Sequence, residues 1–340
     1  MSCWNHSGLK VRHGRFSLTK RILITGGFGF IGGRLAVHLA QAGHQIVLCS
    51  RKVISPPAWL QHAEVTQIGW DDSRALELSC NGVDVVIQAA GMNAQDCATD
   101  PVAALAFNGV ATARLVAAAN RAGVQRFIYL STAHVYGSPL GGTITEETCP
   151  HNLHPYATSH LAGEHAVLSA NQRGPIQGIV LRLSNTFGAP MHKDVNCWML
   201  LVNDLCRQAV QTRKMILQTS GLQQRDFVGM TAVCHVAEHL ACCNGEALRI
   251  GVLNVGAGVS KSVIEMAQLI QQRCMQVLGF EPVLQCVQGE VDESHPKLTY
   301  RADNLAAIGI KSDFLENLAE IDSLLRFCQS TFTKTQNPGA

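Results

Sequence analysis

The sequence predicts an α/β protein built on a doubly wound parallel sheet. Three observations predict it: short apolar runs alternate with helical patterns, a glycine-rich turn follows the first run, and the alternation continues from Arg21 to Ser184. Strands that alternate with helices favour a parallel sheet with helices on both faces. Beyond Ser184 the alternation loosens, which predicts a smaller C-terminal α/β domain that is interleaved with the first.

The individual elements follow from apolar runs and from the glycines that end helices. Runs such as RILIT (21–25) and RFIYL (126–130) are short and apolar, as buried strands are. The predicted strands are 21–25, 45–49, 65–68, 83–88, 126–130, 176–183, 215–218, 226–228, 252–255 and 282–287. The predicted helices are 31–42, 99–122, 156–171, 196–211, 231–243, 261–278 and 316–330.

The composition excludes several classes of protein. The chain has 340 residues, 47% apolar and 15% charged, which suits a large packed core and argues against wholesale disorder. A net charge of +2 leaves no electrostatic footprint for nucleic acid. By inspection no apolar run approaches the roughly 18–20 residues of a membrane span, so no membrane partner is expected. The 13 cysteines contain no Cys-x-x-Cys pair, which predicts a reduced, cytoplasmic protein without a metal site.

A glycine-rich turn follows the first strand and opens the first helix. It reads TGGFGFIG over residues 25–32. In such a turn the first glycine bends the chain, the second admits a pyrophosphate and the third lets helix and strand pack closely. The helix N-terminus then offers free N–H groups to the phosphates. The turn therefore predicts a Rossmann-type dinucleotide-binding fold, with cofactor contacts from Gly26, Phe28, Gly29, Phe30, Ile31 and Gly32.

The end of the second strand indicates which dinucleotide binds. An acidic residue there holds the ribose 2′-hydroxyl of NAD, whereas this chain has Ser50, Arg51 and Lys52. Basic side chains suit a 2′-phosphate. We therefore expect NADP(H) to be preferred, with NAD(H) as the alternative; a solvated basic loop is the interpretation without function.

Together with this turn, several separated motifs resemble the extended short-chain dehydrogenase/reductase family, in its sugar-nucleotide epimerase/dehydratase group. The resemblance covers residues 21–327. It rests on TGGFGFIG (25–32), VDVVIQAAG (83–91), RFIYLSTAHVYG (126–137), PYATSH (155–160), LRLSNTFGAP (181–190), RDFV (225–228) and LNVGAG (253–258). It implies a homodimer joined through two long helices and further cofactor contacts from Ala89, Ala90, Gly91, Asn108 and Asp71. Asp71 would bind the adenine amino group. Asp72 is the alternative for that contact, and Asp71 could equally be a solvated acid in a turn.

The family's reactive centre is matched with one departure. The resemblance implies that Tyr156 is the acid/base and that Thr132 hydrogen-bonds the same substrate oxygen, while Tyr136 belongs to a structural turn. The family's lysine, four residues after the tyrosine, holds the nicotinamide ribose and lowers the tyrosine pKa; here His160 replaces it. An imidazole is mostly neutral at pH 7 and supplies little of that charge. His160 is thus a working substitute, a sign of different chemistry, or the mark of a protein that only binds its cofactor.

At the substrate end the resemblance implies that Asn185 and Arg225 approach a diphosphate. The planar, permanently charged guanidinium suits that group, although an ion pair at a domain boundary would also explain Arg225. The dehydratase branch carries an Asp-Glu pair after the threonine, whereas this chain has Ala133 and His134, so 4,6-dehydration is not expected. His134 is a candidate substrate contact or a packed histidine.

These expectations combine into one prediction. Residues 1–20 form a disordered extension, 21–184 the dinucleotide-binding domain with return segments near 226–256, 185–225 and 257–330 the substrate domain, and 331–340 a tail. The predicted function is NADP(H)-dependent reduction of a nucleotide-activated sugar. Epimerisation of such a sugar and quiet NADP(H) binding are the alternatives.

Overall fold

A parallel sheet lies at the centre of the protein, and it confirms the predicted fold class. The computed structural model describes residues 19–243, 251–286, 296–310 and 318–333. The strands of the central sheet are β1 Arg21–Thr25, β2 Gln45–Ser50, β3 Glu64–Gln67, β4 Val85–Gln88, β5 Arg126–Thr132, β7 Gln177–Leu183 and β11 Val252–Val255. Their order is β11-β7-β5-β4-β1-β2-β3, and every neighbouring pair is parallel. The order reverses between β1 and β4, and ligands of such sheets bind at the carboxyl ends of strands at this point.

Helices cover both faces of the sheet. One face carries α1 Phe30–Gln41 and α8 Met230–Cys242; the other carries α2 Ser73–Ser79, α5 Thr112–Arg121 and α6 Pro155–Arg173. Because side chains alternate between the two faces along each strand, each strand contributes residues to both cores. In β1, Ile22 and Ile24 join the first core and Leu23 joins the second.

The remaining elements form a second, smaller group. The strands are β6 Gly142–Ile144, β8 Asn185–Phe187, β9 Lys214–Leu217, β10 Gln224–Gly229, β12 Ser260–Ser262, β13 Val283–Cys286 and β14 Leu298–Tyr300. The helices that pack around a third core are α7 Leu201–Thr212, α9 Val263–Leu278 and α11 Leu318–Phe332. β10 pairs with β8 and β12 outside the central sheet, whereas β11 joins the central sheet. The division into two domains with the expected boundaries stays a prediction.

The long helix predicted at 99–122 is confirmed over Pro101–Arg121, but it begins only after Asp100 and contains a π-helical stretch. The chain forms α3 Ala94–Thr99, α4 Pro101–Ala104 and a π-helical segment Leu105–Ala111 before α5 begins. Proline disfavours helical backbone in the residue before it, and Asp100 adopts φ −135° and ψ 85°. Its side chain accepts a hydrogen bond from the Ala103 N–H, which starts a new helix at that point.

Other differences lie at element ends. The helix predicted at 196–211 begins only at Leu201, and α10 Asp303–Ala307 and the short strands β6, β8, β12 and β14 were not predicted. Two 3-10 turns, Ala58–Leu60 and Ala133–Val135, complete the secondary structure of the described residues. Most of the predicted extension, 1–18, lies outside the described residues, as do 334–340 of the tail, 287 of a predicted strand and 316–317 of a predicted helix.

The sequence analysis expected no apolar run as long as a membrane span, and the helix Pro101–Arg121 corrects that expectation. By length and composition alone it is long and apolar enough to cross a membrane, with a mean hydropathy of 1.6. Half of it is buried inside the protein, where it packs against α6. A core helix of a soluble protein passes the same test, so the finding is weak evidence for a membrane span.

Candidate functional site

The glycine turn between β1 and α1 packs closely against its own backbone and the loop after β4. Gly26 has φ +66°, and a Cβ there would lie 2.7 Å from the backbone N of Ala90. A Cβ on Gly32 would collide with the Gly26 carbonyl oxygen. Gly29 precedes α1 and provides no side-chain cap. The first N–H groups of α1 are therefore left to a ligand, and a phosphate satisfies such groups. The turn fits the pyrophosphate of a dinucleotide.

The ribose end of this site carries no acidic residue at the end of β2. Ser50 Oγ accepts a hydrogen bond from the Lys52 N–H at 3.1 Å, and the side chains of Arg51 and Lys52 are exposed. Asp71, the expected adenine contact, is 92% exposed and forms an ion pair with Arg114. Its predicted role stays a prediction.

The loop after β4 continues the site toward the reactive centre. Asn108 is 1% exposed. Its Oδ1 accepts a hydrogen bond from the Met92 N–H at 2.9 Å, which holds this loop in place. Its Nδ2 donates to Ser159 Oγ at 3.0 Å. The Asn108 amide is thus hydrogen-bonded within the protein. It supports the segment 89–91 and does not line the cavity described below.

Tyr156 and Thr132 meet in the reactive centre. Tyr156 lies in the first turn of α6, where Pro155 occupies the first helical position, and Thr132 ends β5. Burial raises the pKa of the Tyr156 hydroxyl above 10.0, and a side-chain hydrogen bond with Thr132 opposes that shift. Thr132 Oγ1 also accepts from the His134 N–H at 3.1 Å, which fixes the turn after β5.

His160 lies beside Tyr156 and is neutral. The two ring centroids are 4.6 Å apart in an edge-to-face arrangement, and His160 is 6% exposed. Burial lowers the pKa of His160 from 6.5 to about 4. Since an imidazole at neutral pH then carries no charge, His160 does not lower the pKa of the tyrosine as a lysine would.

The helix that carries Tyr156 and His160 also carries one half of a buried ion pair, which was not predicted from the sequence. Glu164 on α6 binds Arg182 on β7 at 2.6 Å, and their side chains are 0% and 6% exposed. Ser131 Oγ donates to Glu164 at 2.5 Å. The one available signal was the position of Glu164, one helical turn after His160 on the same face. The carboxylate of Glu164 balances the charge of Arg182, so Arg182 does not act on Tyr156 as an unpaired cation.

The substrate end brings His134, Asn185 and Arg225 to one cavity. Arg225 Nη2 donates to Gln223 Oε1 at 3.0 Å, and the described residues give Arg225 no carboxylate partner. The ion pair that would explain Arg225 without a ligand is thus not formed in this part of the chain. Asn185 Nδ2 donates to the Asp226 carbonyl oxygen at 2.9 Å. Burial lowers the pKa of His134, and the charge of Arg225 adds to that shift.

A cavity of about 510 Å³ joins these groups. It runs from the start of α1 past the end of β4 to the ends of β5 and β8. The predicted residues that line it are Phe30, Ile31, Ala89, Ala90, Gly91, Thr132, His134, Tyr156, His160, Asn185 and Arg225. The predicted residues outside its lining are Gly26, Phe28, Gly29, Gly32, Ser50, Arg51, Lys52, Asp71 and Asn108.

Sequence reasoning missed one wall of this cavity. Phe187, Phe227 and the segment 199–202 line it with apolar side chains. Residues 196–200 were assigned to a helix, and their approach to β8 depends on long-range packing that no local pattern encodes.

Known proteins share this architecture. The model of the NAD dependent epimerase/dehydratase family matches residues 22–255. A mouse protein named dTDP-D-glucose 4,6-dehydratase is 28% identical over 311 residues, which are 87% of this chain and 85% of the mouse protein. A dTDP-6-deoxy-L-talose 4-dehydrogenase (NAD(P)(+)) from Kitasatospora kifunensis is 31% identical over 259 residues, covering 74% of this chain and 78% of the relative.

Solved structures agree at the level of the fold. The UDP-glucose 4-epimerase of Thermus thermophilus, in complex with NAD, has a TM-score of 0.74 and 21% identity, covering 91% of this chain and 99% of that one. An NAD dependent NDP-hexosamine 5,6-dehydratase of tunicamycin biosynthesis has a TM-score of 0.74 and 24% identity, covering 92% of this chain and 98% of that one. The relatives are, by name, nucleotide-sugar dehydratases, epimerases and dehydrogenases. Because the family model spans more than half of the chain, this protein belongs to the NAD dependent epimerase/dehydratase family.

Proposed function

We propose that this protein uses NADP(H) to reduce a keto group on a nucleotide-activated sugar. One observation favours reduction: Tyr156 lines the cavity beside a buried, neutral His160, and no cationic side chain of the described residues lowers the pKa of Tyr156. A phenol in such surroundings keeps its proton. It is therefore present in the protonated form, from which a proton can pass to a carbonyl oxygen, while the same shift makes it a weaker acid.

The residues of the cavity divide the work of a carbonyl reduction. A bound reduced dinucleotide supplies the hydride that the carbonyl carbon accepts. The Tyr156 hydroxyl donates its proton to the carbonyl oxygen, so a ketone becomes an alcohol. Thr132 lines the cavity with Tyr156 and would hydrogen-bond the same substrate oxygen. Arg225 and Asn185 hold the diphosphate at the other end of the cavity, where a fork of N–H donors suits phosphate oxygens.

Epimerisation is the weaker candidate because it begins with the opposite proton transfer. An epimerase first removes a proton from a sugar hydroxyl, which requires the phenolate. Burial raises the pKa of Tyr156, and neutral His160 does not compensate. Dehydration is also not supported, because Ala133 and His134 follow Thr132 and neither is acidic.

A protein that only binds its cofactor is the second candidate. The replacement of the lysine by His160 favours it, since a weakened acid/base could leave the cofactor bound without turnover. Both candidates share the dinucleotide site and the cytoplasmic location that we propose from the cysteine content.

The proposal is tested by NADPH oxidation against a panel of 4-keto nucleotide sugars with different bases. We expect turnover with at least one member. Tyr156→Phe removes the proton donor and should lower the rate by about a hundredfold or more, in the range typical of general acid catalysis. Tyr136→Phe is the matched control, because that buried hydroxyl donates to Asn254 away from the cavity.

If no member of the panel is reduced while NADPH binds normally, the binding-only candidate replaces the reductase. If Tyr156→Phe turns over as fast as the wild type, Tyr156 is not the proton donor.

A further inference from the structure

Tyr129 contacts His160 from the side opposite the cavity. It lies in the middle of β5, is 1% exposed and does not line the cavity. Its hydroxyl oxygen is 3.0 Å from His160 Nδ1. Nothing in the reaction described above uses this contact, although it involves two buried polar groups.

The contact distances favour the tyrosine as the donor in this contact. Burial raises the pKa of the Tyr129 hydroxyl, so it stays a phenol and has a proton to donate. Its two acceptors are His160 Nδ1 at 3.0 Å and the Asn108 carbonyl oxygen at 3.4 Å. The Asn108 carbonyl already accepts from Thr112 Oγ1 at 2.7 Å. A carbonyl oxygen can accept two hydrogen bonds, so the distances decide: the 3.0 Å contact favours Tyr129 O–H to Nδ1 over the 3.4 Å contact with Asn108.

This assignment fixes where His160 carries its own proton. A neutral imidazole has one N–H, and Nδ1 is the acceptor, so the proton is on Nε2. A Cβ built on Gly91 would lie 3.8 Å from Cε1 and 3.9 Å from Nε2, so this edge of the ring faces the loop after β4 that lines the cavity. Within the described part of the chain, Nε2 has no hydrogen-bond partner.

We propose that Tyr129 is a positioning residue that locks His160 as an Nε2–H donor toward a hydroxyl of the dinucleotide ribose. The inference rests on the proposed function for the identity of that ligand. The pair would supply the hydrogen bond of the missing lysine without its charge.

The test is the tautomer of His160 in the protein without cofactor, read from nitrogen–proton NMR of the histidine rings. The chain has 14 histidines, and the spectrum of His160→Gln assigns the signal. We expect the wild type to show the Nε2–H form. In Tyr129→Phe the lock is gone, so the Nδ1–H form should become populated. The dissociation constant of NADPH should rise by roughly three- to tenfold, as for one lost hydrogen bond.

Tyr136→Phe is the control here too, and it should change neither the tautomer nor NADPH binding. The wild-type tautomer is read without Tyr129→Phe, so the inference can be tested even if that variant does not fold. A wild-type His160 in the Nδ1–H form would overturn the lock whatever the protein catalyses. A folded Tyr129→Phe with unchanged tautomer and affinity would overturn it as well.

A different result separates this inference from the proposed function. If the wild type shows the Nε2–H form but binds neither NADPH nor NADH, the proposed function fails. The ribose would then be excluded as the group that His160 meets.

Discussion

Among single residues, we propose that those at the end of β2 set the choice of dinucleotide. Arg51 and Lys52 are exposed there, where an acidic residue would repel a 2′-phosphate and hold a 2′-hydroxyl. We therefore predict that NADPH binds at least about tenfold more tightly than NADH, or about 1.4 kcal/mol. Titration of both dinucleotides measures the ratio. Arg51→Ala should weaken NADPH binding far more than NADH binding.

Arg74 offers a control for this prediction, because Arg74→Ala also removes one positive charge, from α2 and not from the end of β2. Equal affinities of the wild type for NADPH and NADH would contradict the assignment of Arg51 to the 2′-phosphate.

At the scale of elements, one buried ion pair ties α6 to β7. Glu164→Gln leaves Arg182 buried without its counter-charge, and breaking such a pair costs about 3 kcal/mol or more of unfolding free energy. Denaturant titration measures that loss. Glu77→Gln is the matched control, because its ion pair with Arg121 is 42% and 48% exposed and should contribute less than about 1 kcal/mol. Similar losses in both variants would show that Glu164 does not anchor α6.

How far the elements could be predicted depends on how local their causes are. The turn at Gly26 was predictable because its glycine spacing, strand and helix lie within one short segment. The break at Asp100 could have been predicted from the Asp-Pro pair, but the alanine-rich composition around it favoured an uninterrupted helix. The Tyr129–His160 contact was not predictable, because 31 residues separate the partners and the register of β5 against α6 brings them together.

At the scale of the whole molecule, an apolar strip on the segment from α4 to α5 remains uncovered. Val102, Leu105 and Val110 are 80%, 49% and 45% exposed. We predict that this strip joins two copies of the chain in a homodimer with two-fold symmetry. Light scattering at micromolar concentration should report a dimer, and Val102→Asp combined with Leu105→Asp should convert it to a monomer.

Val259→Asp is the control for the dimer, since Val259 is 66% exposed but lies between β11 and β12, away from this segment. A wild type that is monomeric under these conditions would contradict the predicted assembly.

We infer that Tyr156 keeps its proton because its neighbour is neutral, and the pH dependence of ketone reduction is the test of this inference. His160 has a pKa of about 4, lowered by burial, so its charge does not change near neutral pH. Tyr156, with its pKa raised above 10.0, stays protonated over the same range. We predict that the rate is flat from about pH 6 to about pH 9 and falls only as the phenol ionises. In His160→Lys the new cation should move that fall to lower pH. A wild-type rate that falls as the pH rises from about 6 to about 7 would show an active imidazolium and would overturn this inference.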